Sequence, residues 1–110
     1  MLADRYDIRT AADGAQALHV LAEHPADLVL ADVMLPELDG LELIQRIRTE
    51  PALRATPVIL LTALAAPESM MRALAAGAHD YIVKPFTGRE LIARIESQLA
   101  LARLRAERAK

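Results

Sequence analysis

Three short runs of uninterrupted apolar residues punctuate the chain: Leu28-Val29-Leu30-Ala31, Val58-Ile59-Leu60-Leu61 and Tyr81-Ile82-Val83. None alternates polar with apolar positions. Runs of this length between turn residues predict strands buried on both faces, as in a parallel sheet. Tyr6 to Thr10 reads as a fourth strand, which Asp7 and Arg9 assign to a more exposed edge. The intervening segments carry apolar residues at helical spacing, most with a start signal. Asp13 is followed by Gln16, Asp39 by Glu42 and Thr87 by Glu90. This is capping-box spacing, in which two backbone donors at a helix start are satisfied reciprocally. Leu38 with Leu43, and Phe86 with Leu91, are spaced as hydrophobic staples around two of those caps. Pro67 suits a first helical position. Pro25 and Pro51 end helical patterns, and Gly77 ends the one that Pro67 opens.

The pattern predicts strand 6–10, helix 14–24, strand 27–32, helix 40–49, strand 58–62, helix 67–76, strand 80–84 and helix 88 to about 106. Strict strand–helix alternation with short connections implies an α/β fold with a parallel sheet. In the last helix Ile92, Ile95, Leu99, Ala102, Ala106 and Ala109 fall at a/d spacing. Residues 101–110 therefore read either as a solvated helix end or as a linker or coiled-coil start beyond a domain of residues 1–100.

Composition narrows the classes. The chain has 110 residues, 54% of them hydrophobic, which suits one packed domain. Aromatics are confined to Tyr6, Tyr81 and Phe86, so the core is aliphatic. A net charge of −2 argues against a direct nucleic-acid surface. The sequence has no cysteine, so disulfides and thiolate metal sites are excluded. No apolar run approaches a membrane span and the opening residues form no signal-peptide core, so a cytoplasmic location is expected.

The chemistry gathers at strand ends. In open α/β sheets, ligands bind outside the carboxyl ends of the strands. The three uninterrupted apolar runs are each followed directly by a polar residue that such a run does not predict: Asp32, Thr62 and Lys84. Adjacent parallel strands would bring a carboxylate, a hydroxyl and an ammonium to one edge, which suits phosphoryl chemistry. The carboxylate is a nucleophile able to form an aspartyl-phosphate, and the other two can hold phosphoryl oxygens. Taken singly, Asp32 can be a loop cap, Thr62 an ordinary strand residue and Lys84 a solvated lysine. His19, His24 and His79 lack ligand-like spacing and read as structural or surface residues.

These segments resemble the receiver domains of bacterial response regulators. The run from Asp27 through Asp32 to Pro36, followed by Asp39-Gly40, is similar to their phosphoacceptor segment. Val58 to Ala63 resembles their fourth strand, and Gly77 to Phe86 their fifth strand with its lysine. Ala12 to Leu18 resembles the entry to their second helix. The resemblance covers essentially the whole chain. It implies a flavodoxin-like, doubly wound parallel sheet of order 2-1-3-4-5. It implies that Asp32 accepts phosphoryl from a histidine kinase or phosphotransfer protein, with no turnover beyond self-catalysed phosphorylation and dephosphorylation. Thr62 and Lys84 would contact the phosphoryl oxygens, and Tyr81 would be the switch aromatic that reports on Thr62. Ala63 would leave access for the phosphodonor. The Lys84–Pro85 peptide would be cis. Asp32 and the main-chain carbonyl of Met34 would be ligands of Mg²⁺.

The resemblance also exposes a departure. Receivers open with a hydrophobic strand that ends in two acidic residues, and then a helix. Met1-Leu2-Ala3-Asp4-Arg5-Tyr6 corresponds to the end of that helix, so the first strand, most of the first helix and the acidic pair have no counterpart. The pair supplies most of the carboxylates for Mg²⁺. The expectations are therefore weak self-phosphorylation and association of the chain, as a homodimer or strand-exchanged oligomer, through an uncovered strand edge. The alternative is a phosphorylation-independent pseudo-receiver acting as an interaction or dimerisation module. A phosphatase or dehalogenase-like hydrolase is disfavoured. Such phosphatases usually carry a second aspartate two residues after the nucleophile, where this chain has Met34.

Overall fold

The structure, a computed structural model, describes residues 6–11, 14–32, 40–62 and 67–108. Within them the elements run α1 (Gly14–Glu23), β1 (Val29–Asp32), α2 (Gly40–Thr49), β2 (Val58–Thr62), α3 (Pro67–Ala76), β3 (Asp80–Val83) and α4 (Gly88–Arg108). The sheet of the described residues has three parallel strands in the order β1-β2-β3. Val29 pairs with Val58 and Asp32 with Leu61, while Ile59 pairs with Asp80 and Thr62 with Val83.

Why the strands lack polar alternation is clear from what covers them. One face packs Val29, Ala31, Val58, Leu60 and Tyr81 against Leu21 of α1, Leu43, Ile44 and Ile47 of α2 and Ala73 of α3. The other packs Leu28, Leu30, Ile59 and Ile82 against Leu91 and Ile95 of α4. Odd and even strand residues thus enter different apolar layers, so both must be hydrophobic.

Helix ends follow the local chemistry. The Glu90 N–H donates to Thr87 Oγ1 over 3.0 Å, which makes Thr87 the N-cap of α4. Phe86 packs into the same layer as Leu91, as a staple requires. Pro67 is the first residue of α3. The same helix ends in a Schellman turn: the Gly77 N–H donates to the Leu74 carbonyl and the Ala78 N–H to the Ala73 carbonyl, each over 3.1 Å. Gly77 has φ of +112°, and a Cβ there would lie 3.1 Å from Arg48 Nε and 3.3 Å from Ile44 Cγ2. Gly77→Ala combines backbone strain with crowding and should lower stability by about 1–3 kcal/mol, read as a lower urea midpoint at unchanged slope. The proposed caps Asp13 and Asp39, and Leu38, lie outside the described residues.

Five elements differ from the sequence reading; two of them, α1 and β3, end one residue early, at Glu23 and Val83 rather than at 24 and 84. The strand predicted at 6–10 is not formed: residues 7–11 have no regular structure and Ile8 is 45% exposed. A strand needs a ladder partner, and no described strand lies beside this segment. β1 starts at Val29 rather than 27, because Asp27 is exposed. The last helix continues to Arg108, past the predicted 106. Its Leu91, Ile95 and Gln98 are buried, whereas Leu101 and Leu104 stand 43% and 51% exposed.

Candidate functional site at the carboxyl edge of the sheet

Asp32 is the final residue of β1, Thr62 the final residue of β2, and Lys84 follows the last residue of β3. The register stacks them in a staircase. Asp32 pairs with Leu61, one position before Thr62, and Thr62 pairs with Val83, one position before Lys84. The Lys84 N–H donates to the Thr62 carbonyl over 2.7 Å, which ties the second step to the third. The three residues singled out in the sequence therefore end three adjacent strands at one edge. Thr62 is 2% exposed, and Lys84 is exposed.

Tyr81 lies on β3 beside Leu60 and is 8% exposed within the layer that also contains Leu60 and Val83. Thr62, two residues beyond Leu60, shares that face. Tyr81 and Thr62 are thus diagonal neighbours on adjacent strands. The Lys84–Pro85 peptide is cis, as the family resemblance implies. Met34 and Ala63 lie outside the described residues.

The opposite edge is fixed by a hub that the sequence did not announce. Arg48, near the end of α2, donates through Nη1 to the carbonyls of Arg54 (2.9 Å) and Thr56 (2.8 Å). Through Nη2 it reaches the Gly77 carbonyl and His79 Nδ1, both at 2.8 Å. His79 in turn closes the amino ends of β2 and β3: its N–H donates to the Val58 carbonyl over 2.8 Å, and the Val58 N–H reaches its Nδ1 over 3.3 Å. The buried Gln98 of α4 donates to the His79 carbonyl over 3.2 Å. One guanidinium therefore links α2, the 50–57 turn, the end of α3 and the start of β3. Fixing these amino ends sets the register that delivers Thr62 and Lys84 together.

Because Nδ1 accepts from Arg48, the neutral His79 ring carries its proton on Nε2. Burial, then the Arg48 cation, then Arg105 push the His79 pKa below its ordinary value. Burial and the Arg105 cation likewise lower that of Arg48. The folded chain thus binds the His79 proton less readily than the unfolded chain, whose imidazole titrates near about 6.5. Stability from this hub is complete above that value and lost as pH falls through the lower folded pKa. Urea titrations between pH 7.5 and 5 should show stability falling toward acid, with a smaller fall in His79→Gln.

Mg²⁺ prefers near-octahedral oxygen ligation. Among the described residues no three Asp, Glu, His or Cys side chains gather closely enough to hold a metal ion. The described residues therefore do not by themselves assemble the Mg²⁺ site implied by the resemblance. Also among them, no helix is long and apolar enough to cross a membrane.

The profile of the family described as "Response regulator receiver domain" matches residues 1–96. The response regulator GtcR of Aneurinibacillus migulanus is 42% identical over 99 residues, covering 90% of this chain and 40% of its own. The phosphate regulon regulatory protein PhoB of Rhizobium meliloti is 40% identical over 101 residues, covering 92% and 44%. The chain thus spans less than half the length of these relatives. Among solved structures, the signal receiver domain of a histidine kinase from Syntrophus aciditrophicus superposes with a TM-score of 0.81 at 34% identity, covering 90% of this chain and 75% of that one. The receiver domain of a sensor histidine kinase from Pseudomonas aeruginosa, with magnesium coordinated in its active-site cleft, gives 0.79 at 35% identity, covering 86% and 78%. With the same fold, and matches along nearly its whole length, the chain belongs to the response regulator receiver domain family.

Proposed function

We propose that Asp32 is the phosphoacceptor of this receiver module. The observation that carries the reading is the staircase of Asp32, Thr62 and Lys84 at the ends of three adjacent parallel strands. In the step, a carboxylate oxygen of Asp32 attacks the phosphorus of a phosphohistidine on a kinase or phosphotransfer protein. The new O–P bond forms as the P–N bond breaks, and the electron pair returns to the imidazole nitrogen. The Lys84 ammonium and the Thr62 hydroxyl hold oxygens of the transferred group, whose charge is greatest in the transition state. Tyr81, diagonal to Thr62, repacks when Thr62 moves toward the phosphoryl oxygens and carries the change to the surface. Mg²⁺, if bound, would neutralise the charge on the transferred group, and from this chain Asp32 and the Met34 main-chain carbonyl would be its ligands.

The module is a switch rather than a turnover enzyme. Its partners are the phosphodonor protein and whatever output it controls, and DNA contact belongs to other domains of regulators of this kind. The pseudo-receiver reading is favoured by one observation, the lack of a metal-binding carboxylate group among the described residues. Borohydride trapping separates the two. After exposure to a phosphohistidine donor and Mg²⁺, reduction should convert Asp32, and no other aspartate, to homoserine. Conversion elsewhere, or none in a folded chain, contradicts the phosphoacceptor assignment.

A further inference from the structure

Helix α4 starts just after β3 ends, and its Gln98 side chain returns to the His79 carbonyl at the start of β3. The helix thus runs back along the strand to the amino edge of the sheet. It does not stop there. From Gln98 it continues to Arg108, about 15 Å further at about 1.5 Å per residue. Leu101 and Arg105 follow Gln98 at i+3 and i+7, so they share its side of the helix. Both are exposed, whereas Arg48 and His79 at the sheet edge are half-buried. The projecting turns and the sheet edge therefore meet in a corner lined by Arg48, His79, Leu101 and Arg105.

The charges of this corner define what fits. The hydrogen bonds of the Arg48 guanidinium all end on neutral acceptors, namely carbonyls and His79 Nδ1. Among the described residues no carboxylate forms an ion pair with Arg48, His79 or Arg105. Asp80, the carboxylate next to His79 in sequence, is held instead by Arg94 at 3.1 Å and by the Tyr81 N–H at 2.7 Å. Burial first, and then the Arg48 and Arg105 cations, push the His79 pKa down, and burial and then Arg105 lower that of Arg48. Arg105 is thus within electrostatic reach of both. His79 also keeps one donor to spare. With Nδ1 accepting from Arg48, the neutral ring carries its proton on Nε2, for which no described residue supplies an acceptor. No unbonded polar side-chain atom among the described residues is buried, so this N–H opens to the surface.

A carboxylate placed here accepts from the Nε2–H and from Arg105 and offsets the Arg48 charge. Beside Arg105, Leu101 and Leu104 stand exposed at i,i+3 spacing. A free inorganic anion satisfies the cations and leaves both leucines in water. An anionic membrane or a long polyanion is repelled by the rest of a chain whose net charge is −2, and it meets the projecting turns before the recessed His79. We infer that the corner is a docking surface for a segment of a partner protein that presents a carboxylate beside aliphatic side chains. The carboxylate meets His79 and Arg105, and the aliphatic groups cover Leu101 and Leu104. This surface lies at the amino edge of the sheet, opposite Asp32, and the inference stands independently of phosphorylation there.

Nuclear magnetic resonance on the full 110-residue chain tests it. The probe is a capped peptide of two glutamates flanked by leucines, and the control carries glutamine in their place. The acidic peptide should bind saturably and shift the His79 ring and Leu101 methyl signals. It should also raise the pH at which His79 titrates, because a bound carboxylate favours the imidazolium. By linkage its binding tightens as pH falls from about 7.5 to about 5.5. Arg105→Ala, at an exposed position, should weaken binding about tenfold or more without lowering the urea midpoint. Leu101→Ser should weaken binding of the peptide and leave that of inorganic phosphate unchanged. No saturable shift, equal binding of the glutamine control, or no loss in Arg105→Ala overturns the inference. So does phosphate that matches the peptide while Leu101→Ser has no effect, which reduces the corner to a bare anion site. Capture by vesicles of phosphatidylglycerol and phosphatidylcholine without binding of the peptide overturns it in favour of a membrane. His79 signals that move with chain concentration, in a chain that sediments as a dimer, overturn it in favour of a second copy.

Discussion

Replacing Arg48 with alanine should lower the stability of the chain by about 2–4 kcal/mol, the largest effect expected of any side chain outside the apolar core. The guanidinium makes four hydrogen bonds, three to carbonyls and one to His79 Nδ1. Hydrogen bonds from a charged donor each contribute more than neutral ones, and removing the donor leaves partly buried acceptors unsatisfied. The bond to the Arg54 carbonyl is exposed and is discounted here. For a domain of this size the loss corresponds to a fall in Tm of about 10 °C or more. Arg48→Lys should recover little, because an ammonium is a single point and cannot span acceptors on three segments. Calorimetry of the wild type, Arg48→Ala and Arg48→Lys checks this. A fall of under about 0.5 kcal/mol for alanine, within the usual range for surface substitutions, would show that the hub is incidental.

Lys84→Ala should slow phosphoryl transfer to Asp32 by about a hundredfold while leaving the fold intact. The lysine follows β3 at the surface, so its side chain is not part of the apolar layers. Its ammonium is assigned to the oxygens on which charge grows during transfer, and removing one such contact typically costs 10²–10³ in rate. Its backbone bond to the Thr62 carbonyl does not depend on the side chain, so strand register should persist. Stopped-time quenching with a phosphohistidine donor measures the rate, and circular dichroism checks the fold. Transfer at the wild-type rate would remove Lys84 from the site.

The fold was legible because its strongest signals are local. Leu28 to Ala31, Val58 to Leu61 and Tyr81 to Val83 are apolar at every position because both faces of the sheet are covered, and that pattern alone marks a parallel sheet. Thr87, Pro67 and Gly77 mark helix ends through chemistry confined to a single turn. The carboxyl-edge residues were legible for a related reason: Asp32, Thr62 and Lys84 each interrupt an apolar run at its end.

Other features depend on contacts far apart in sequence. Segment 6–10 has strand composition, yet strand formation requires a neighbour, and none is present among the described residues. Arg48 looks like any basic residue in a last helical turn, and its partners Gly77 and His79 lie 29 and 31 residues away. No spacing rule reaches that distance. His79, whose sequence context suits a structural or a surface residue, has a structural place in the hub. The tie between this hub and the site is likewise a property of the sheet, since register fixed at Val58 and His79 reappears at Thr62 and Lys84.

The most direct test of the phosphoacceptor assignment is a time course of intact-mass spectra for the folded chain and for Asp32→Asn, each incubated with acetyl phosphate and Mg²⁺. The wild type should gain the mass of one phosphoryl group. The asparagine variant should gain none. A phosphoryl adduct that persists in Asp32→Asn, or a folded wild-type chain that never acquires one, would contradict the assignment.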